Sequence, residues 1–161
     1  MDYIFRNEVN TYKIIIDEIT LNKIIFECEK YENLETGGIL IGNYSKDGIT
    51  AYIKDSYSPK DSKRYSNRFF RGTFGINKIL DKKWKKKEYY LGEWHYHPNS
   101  SSESSKLDDI QMMKFSKNKK LNCQVPILLV IGGNSLKWSL NLYIYKNNEK
   151  IILKKEYSSH L

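Results

Sequence analysis

The run Pro126-Ile127-Leu128-Leu129-Val130-Ile131, closed by Gly132-Gly133, is almost entirely apolar. A strand with one wet face alternates apolar and polar residues. A run without alternation has to be covered on both faces, so it predicts a central strand buried between other elements. The rest of the chain supplies candidates for that cover. Asp2–Arg6, Tyr12–Ile16, Ile39–Tyr44, Thr50–Tyr57, Tyr89–His97, Ser135–Tyr145 and Lys150–Tyr157 carry strand-like composition, and Asp47-Gly48 marks a hairpin turn.

Three stretches repeat at helical spacing. Thr20 is placed to cap a helix reaching Tyr31, with Leu21, Ile24, Ile25 and Cys28 on its apolar side. Thr73 is placed to open a second through Lys86, with Ile76, Ile79, Leu80 and Trp84 on one side. A third runs from Ser105 to Ser116. Between them, Asn33–Thr36 reads as a turn loosened by Gly37-Gly38, and Ser58–Asn67 as a polar loop ahead of Phe69-Phe70. The expected fold is α/β of the α+β type: a mixed, largely antiparallel sheet, strands adjoining mainly as a meander, flanked by helices. At 161 residues the chain fits one domain, 1–161, large enough to bury a core.

Composition excludes several classes. No apolar run approaches the roughly 18 residues of a membrane span, and Met1-Asp2-Tyr3-Ile4 lacks the start of a signal peptide, so a cytoplasmic protein is expected. Cys28 and Cys123 form no CxxC pair and are expected as buried reduced thiols. The formal charge of +8 comes from lysines scattered over several segments, with no Arg-rich arm or DNA-reading motif. A solvated basic face is expected, and nucleic acid is not an expected partner.

The chemistry-bearing residues cluster in Gly92-Glu93-Trp94-His95-Tyr96-His97-Pro98. On a strand, residues two apart share a face, so His95 and His97 can offer two imidazoles to one metal ion. Imidazole suits zinc, and Asp108 can complete three ligands with a fourth position open. Ser105 stands three residues before Asp108, which also matches a helix capping box. Such a site needs a carboxylate base outside the metal's ligands, and Glu35, before Gly37-Gly38, is the candidate. Glu93 alternates onto the histidines' face, as a fourth ligand or an outer partner. Arg64, Phe69 and Arg71, in and just beyond Ser58–Asn67, are candidates for gripping a substrate.

Glu35, His95-x-His97-Pro98 and Ser105-x-x-Asp108 together resemble the metal motif of the JAB/JAMM (MPN-plus, Mov34/PAD-1-like) peptidases, and Glu35 to Gly42 resembles that family's opening glutamate segment. The resemblance implies an MPN, cytidine-deaminase-like architecture. It implies one zinc per chain on His95, His97 and Asp108, with Glu35 as base and Ser105 as oxyanion donor. It further implies cleavage of a peptide or isopeptide bond after the C-terminal tail of a ubiquitin-like or conjugated protein. The segments Gly92–Pro98 and Pro126–Gly133 are similar to a short bacterial branch found in antiphage (CBASS-type) operons. Partners implied there are E1/E2-like conjugating enzymes and a cyclic-nucleotide synthase (a CD-NTase-like nucleotidyltransferase) released from its target. Two other readings are a non-catalytic MPN scaffold, which typically loses ligands present here, and a RadC-like DNA-repair-associated protein, which shares H-x-H-P…S-x-x-D.

Overall fold

The computed structural model describes residues 1–156; the last residue expected in the final strand, Tyr157, lies outside them. Ten strands and three α-helices follow one another as β1 (Asp2–Arg6), β2 (Lys13–Asp17), α1 (Glu18–Lys30), β3 (Thr36–Tyr44), β4 (Thr50–Tyr57), β5 (Lys63–Tyr65), β6 (Arg68–Phe70), α2 (Ile76–Trp84), β7 (Tyr89–Pro98), α3 (Lys106–Lys117), β8 (Ile127–Asn134), β9 (Lys137–Lys146) and β10 (Glu149–Lys155). Eight strands close into a barrel in the order β1-β10-β9-β8-β7-β3-β4-β2. Pairing is antiparallel except for β2 with β4 and β7 with β8. The sheet is therefore mixed and largely antiparallel, as expected. Its order departs from a meander where β7 lies beside β3, β4 beside β2 and β10 beside β1.

The apolar run becomes β8, covered on both faces. Ile127, Leu129 and Ile131 join the core that also takes Leu21, Ile24 and Cys28 of α1. Leu128 and Val130 face the other way, against Met112 of α3 and Tyr143 and Tyr145 of β9. All five apolar residues from Ile127 to Ile131 are buried. Each such side chain contributes about 1.5–3 kcal/mol. The same alternation in β3 sends Leu40 to the α1 core and Ile39 and Ile41 to a third cluster, with Ile76, Ile79 and Leu80 of α2 against it. Thus α1 covers one face of the sheet, and α2 and α3 cover the other.

Several boundaries differ from the expectations. Asp17, and not Thr20, caps α1: its carboxylate accepts from the Thr20 amide at 2.6 Å, so the threonine lies inside the first turn. Thr73 does not open α2, which starts at Ile76 behind Gly75 in a left-handed conformation. The Thr73 amide instead donates to Asp61 at 3.2 Å. Gly37 and Gly38 are strand residues, not a turn. The polar loop Ser58–Asn67 contains β5, which hairpins with β6 as a separate two-stranded sheet. Both cysteines are free and buried, as expected. Among the described residues, no helix is long and apolar enough to cross a membrane.

Candidate metal centre

Alternation along β7 sorts its side chains by chemistry. Trp94 and Tyr96 enter the α1 core, which leaves His95 and His97 on the opposite face, toward α3. Parallel pairing sets His97 level with Gly132 of β8. A Cβ at Gly132 would meet the backbone of Ser100, Ser101 and Ser102, so the glycine lets the serine loop lie flat on the strand. The Ser102 carbonyl is then pinned by the Asn141 side-chain amide and the Tyr143 hydroxyl, both donating at 3.2 Å. The loop delivers the chain to Ser105, the N-cap of α3, and places Asp108 in its first turn.

His95 Nδ1 lies 2.8 Å from Asp108 Oδ1, and His97 Nε2 lies 3.3 Å from Asp108 Oδ2. One ligand atom from each of the three residues falls within 4.8 Å of the others. A tetrahedral ion with bonds of roughly 2.0–2.2 Å holds its ligands about 3.4 Å apart, so this donor set and spacing fit a metal. The electrostatics agree. Burial favours the neutral form of Asp108, but hydrogen bonds from His95 and His97 outweigh it and hold the carboxyl far below the usual carboxylate range. Burial pulls the His97 imidazole down, yet the bond and charge of Asp108, with Glu35 adding, leave it raised.

Glu35 is brought to the same place by register. Thr36 pairs with Tyr96 and Gly37 with His95, and Glu35 immediately precedes that ladder, close enough to feel the charges of His97, Asp108 and His95. Its carboxyl is half-buried, and desolvation raises its pKa against the charge of His97, with Asp108 adding and His95 opposing. It is not in the three-residue donor group. A carboxylate beside the ligands and outside them is placed to exchange protons there.

The remaining candidates form a wall on one side. Phe69 meets the His95 ring edge-on, with ring centroids 5.7 Å apart. A Cβ at Gly37 would lie 2.7 Å from Phe69 Cε1 and would also meet the Trp94 carbonyl, so glycine is what allows this approach. Arg64 stacks on Tyr31 and donates from Nε to Thr36 Oγ1 at 2.9 Å. Arg71 turns inward: its Nε donates to Glu93 Oε1 at 2.9 Å. Glu93 is thus engaged by Arg71 and Tyr90 and does not join the donor group, contrary to a ligand role. One contributor escaped the sequence reading. Asp109 binds the Tyr145 hydroxyl at 2.7 Å, Ser104 Oγ at 2.8 Å and Lys150 Nζ at 3.1 Å, tying the start of α3 to β9 and β10. The doublet Asp108-Asp109 was its only trace in the sequence.

Two histidines from a strand, an aspartate from a capped helix and a neighbouring glutamate outside their donor group form a candidate metal centre on a mixed barrel. Residues 17–142 match the family model described as prokaryotic homologs of the JAB domain, and the chain belongs to that family. It is 39% identical over 134 residues to a CD-NTase/cGAS isopeptidase of Enterobacter hormaechei, covering 83% of this chain and 74% of that one. A probable metalloprotease of Sinorhizobium fredii is 21% identical over 87% of this chain and 88% of its own. The solution structure of protein DSY2949 from Desulfitobacterium hafniense shares the fold, with a TM-score of 0.61 over 88% of each chain at 14% identity.

Proposed function

We propose that this protein is a zinc-dependent JAMM-type isopeptidase that releases a protein joined through its extended C-terminal tail. The single observation that carries the reading is the convergence of His95, His97 and Asp108 within 4.8 Å, with Glu35 beside them and outside that donor group. Imidazole nitrogens and one carboxylate oxygen are the donor set of an open zinc site. When bound, zinc would supply a water activated at neutral pH and polarise the scissile carbonyl.

The protein's own groups account for the remaining steps. Glu35 takes up the proton of the attacking water and returns it to the leaving amine, a transfer suited to a carboxylate whose pKa is lifted by burial. Ser105 Oγ accepts from the Asp108 amide, which leaves its hydroxyl hydrogen free to donate to the oxyanion of the tetrahedral intermediate. Phe69 forms the near wall for the tail, and Arg64 and Arg71 hold that wall from behind.

The relative named CD-NTase/cGAS isopeptidase supports a CD-NTase-like nucleotidyltransferase as the released protein. In that setting E1/E2-like enzymes make the conjugate, in cytoplasmic antiphage signalling. A folded protein carrying such a tail, fused at its C-terminus to a second protein, tests the proposal. Cleavage just after the tail, abolished by chelator and by Glu35→Gln, is expected. Bound zinc without cleavage would favour a scaffold, and salt-sensitive DNA binding without cleavage would favour the RadC-like reading.

A further inference from the structure

The β5–β6 hairpin lies outside the barrel, paired only with itself. A two-stranded hairpin of this length has marginal stability alone, so its position depends on what anchors it. Three of its anchors lead to the metal centre. The Tyr65 carbonyl accepts from the Glu35 amide at 2.8 Å. Arg64 holds Thr36, the residue after Glu35. Phe69 bears on His95. The fourth anchor is Arg71, at the exit of β6, whose Nε meets Glu93 on β7.

That fourth anchor is costly. Glu93 is only 2% exposed. Its Oε1 takes Arg71 and the Tyr90 hydroxyl, at 2.9 and 3.2 Å, while its Oε2 has no hydrogen-bond partner among the described residues. Buried pairs of this kind are often no more stabilising than apolar side chains of the same volume. Stability alone is therefore a poor reason for the pair. Position is a better one, because Arg71 directly follows the strand that carries Phe69, and Glu93 precedes His95 by two residues on the same strand.

We propose that Arg71 and Glu93 are positioning residues for the metal centre. Their ion pair seats the hairpin so that Phe69 fixes the orientation of the His95 ring and the Tyr65 carbonyl fixes the backbone at Glu35. The inference rests on the peptidase reading above. A substrate tail then meets a preset wall, and neither Arg71 nor Glu93 touches the reacting atoms.

The test compares Glu93→Gln, Arg71→Lys and the uncharged double variant Arg71→Met with Glu93→Gln. Leu153→Ala, a core truncation in β10, sets the baseline for destabilisation alone. Wild-type cleavage of the tail fusion checks the underlying function; if wild type binds zinc and does not cleave, that reading fails. With wild type active, each folded variant should lose about tenfold or more in kcat with KM changed less than about threefold. Zinc should be lost to a chelator about 10–100-fold more readily, the usual effect of disturbing a ligand's supporting groups. The absorption spectrum of the cobalt-substituted protein should shift, a readout independent of turnover, and Arg71→Lys should be the mildest. If one single variant does not fold, the double variant, with no buried charge left unpaired, carries the comparison. Wild-type kcat, zinc retention and cobalt spectrum in the folded variants, or losses no larger than those of Leu153→Ala, would overturn the proposal.

Discussion

The Ser105 hydroxyl accepts from the amide of Asp108 at 3.0 Å while the Asp108 carboxylate accepts from the amide of Ser105 at 2.8 Å, so one capping box both starts α3 and holds a metal-ligand candidate. The box uses Asp108 Oδ2, and Oδ1 faces His95 Nδ1. Helix initiation and site geometry are the same few atoms.

That sharing makes Ser105→Ala informative. Loss of an N-cap costs about 1 kcal/mol, whereas loss of an oxyanion donor costs roughly a hundredfold or more in kcat. The expected variant melts within a few degrees of wild type, keeps its zinc and cleaves far more slowly. Near-normal turnover in a destabilised protein would make Ser105 a cap alone.

Ligands and base should separate cleanly. His95→Ala and His97→Ala should lose both metal and cleavage, read by elemental analysis and by the tail-fusion assay. Glu35→Gln should retain about one zinc per chain, the load of a three-ligand open site, and lose about 10²-fold or more in turnover. Loss of metal from Glu35→Gln would instead make Glu35 a ligand.

Gly37→Ala tests the contact between wall and strand. The added methyl would meet the Trp94 carbonyl and lie 2.7 Å from Phe69 Cε1 and 3.1 Å from His95 Cδ2. Overpacking of this kind costs about 1–3 kcal/mol. A lowered Tm together with weakened zinc retention is expected. A wild-type Tm with unchanged zinc would show that both the hairpin and the β7 backbone at Trp94 yield freely.

Zinc should stabilise the protein more as pH rises through neutrality. In the metal-free protein, burial lowers the pKa of His97, but Asp108 and Glu35 leave it raised. The raised group therefore adds stability that is complete below the ordinary histidine value of about 6.5 and is lost as pH climbs through the folded pKa. Asp108 is depressed, so its contribution is present above the ordinary aspartate value of about 3.9 and fades only in strong acid. Zinc must displace the His97 proton, so the gain in Tm on zinc addition should grow between about pH 6 and 8. A pH-independent gain would contradict this linkage.

Local patterns were legible where one element carried the whole signal. His95 and His97 share a face because strand geometry requires it, and the Ser105–Asp108 spacing is a capping box in any helix. The apolar run of β8 announced its own burial. The same alternation leaves Glu93 either a fourth ligand or an outer partner, and the structure decides against the ligand by engaging it with Arg71, a residue whose direction depends on how the β5–β6 hairpin folds back. The strand β5, only Lys63–Tyr65, was too short to stand out within a polar loop. Gly37-Gly38 looked like turn residues, since nothing local shows that Trp94, Tyr57 and Phe69 crowd them.

The sequence by itself determined the strand that must be covered on both faces, the pair of imidazoles on one face and the carboxylate behind a serine cap, because period and spacing act within a few residues. Only the tertiary structure decided that Glu35 lies beside His97 and Asp108, that β7 runs between β3 and β8, and that Arg71 turns inward to Glu93. Those facts depend on which strands pair, and pairing is set by burial of side chains distant in the chain, where no local period reaches.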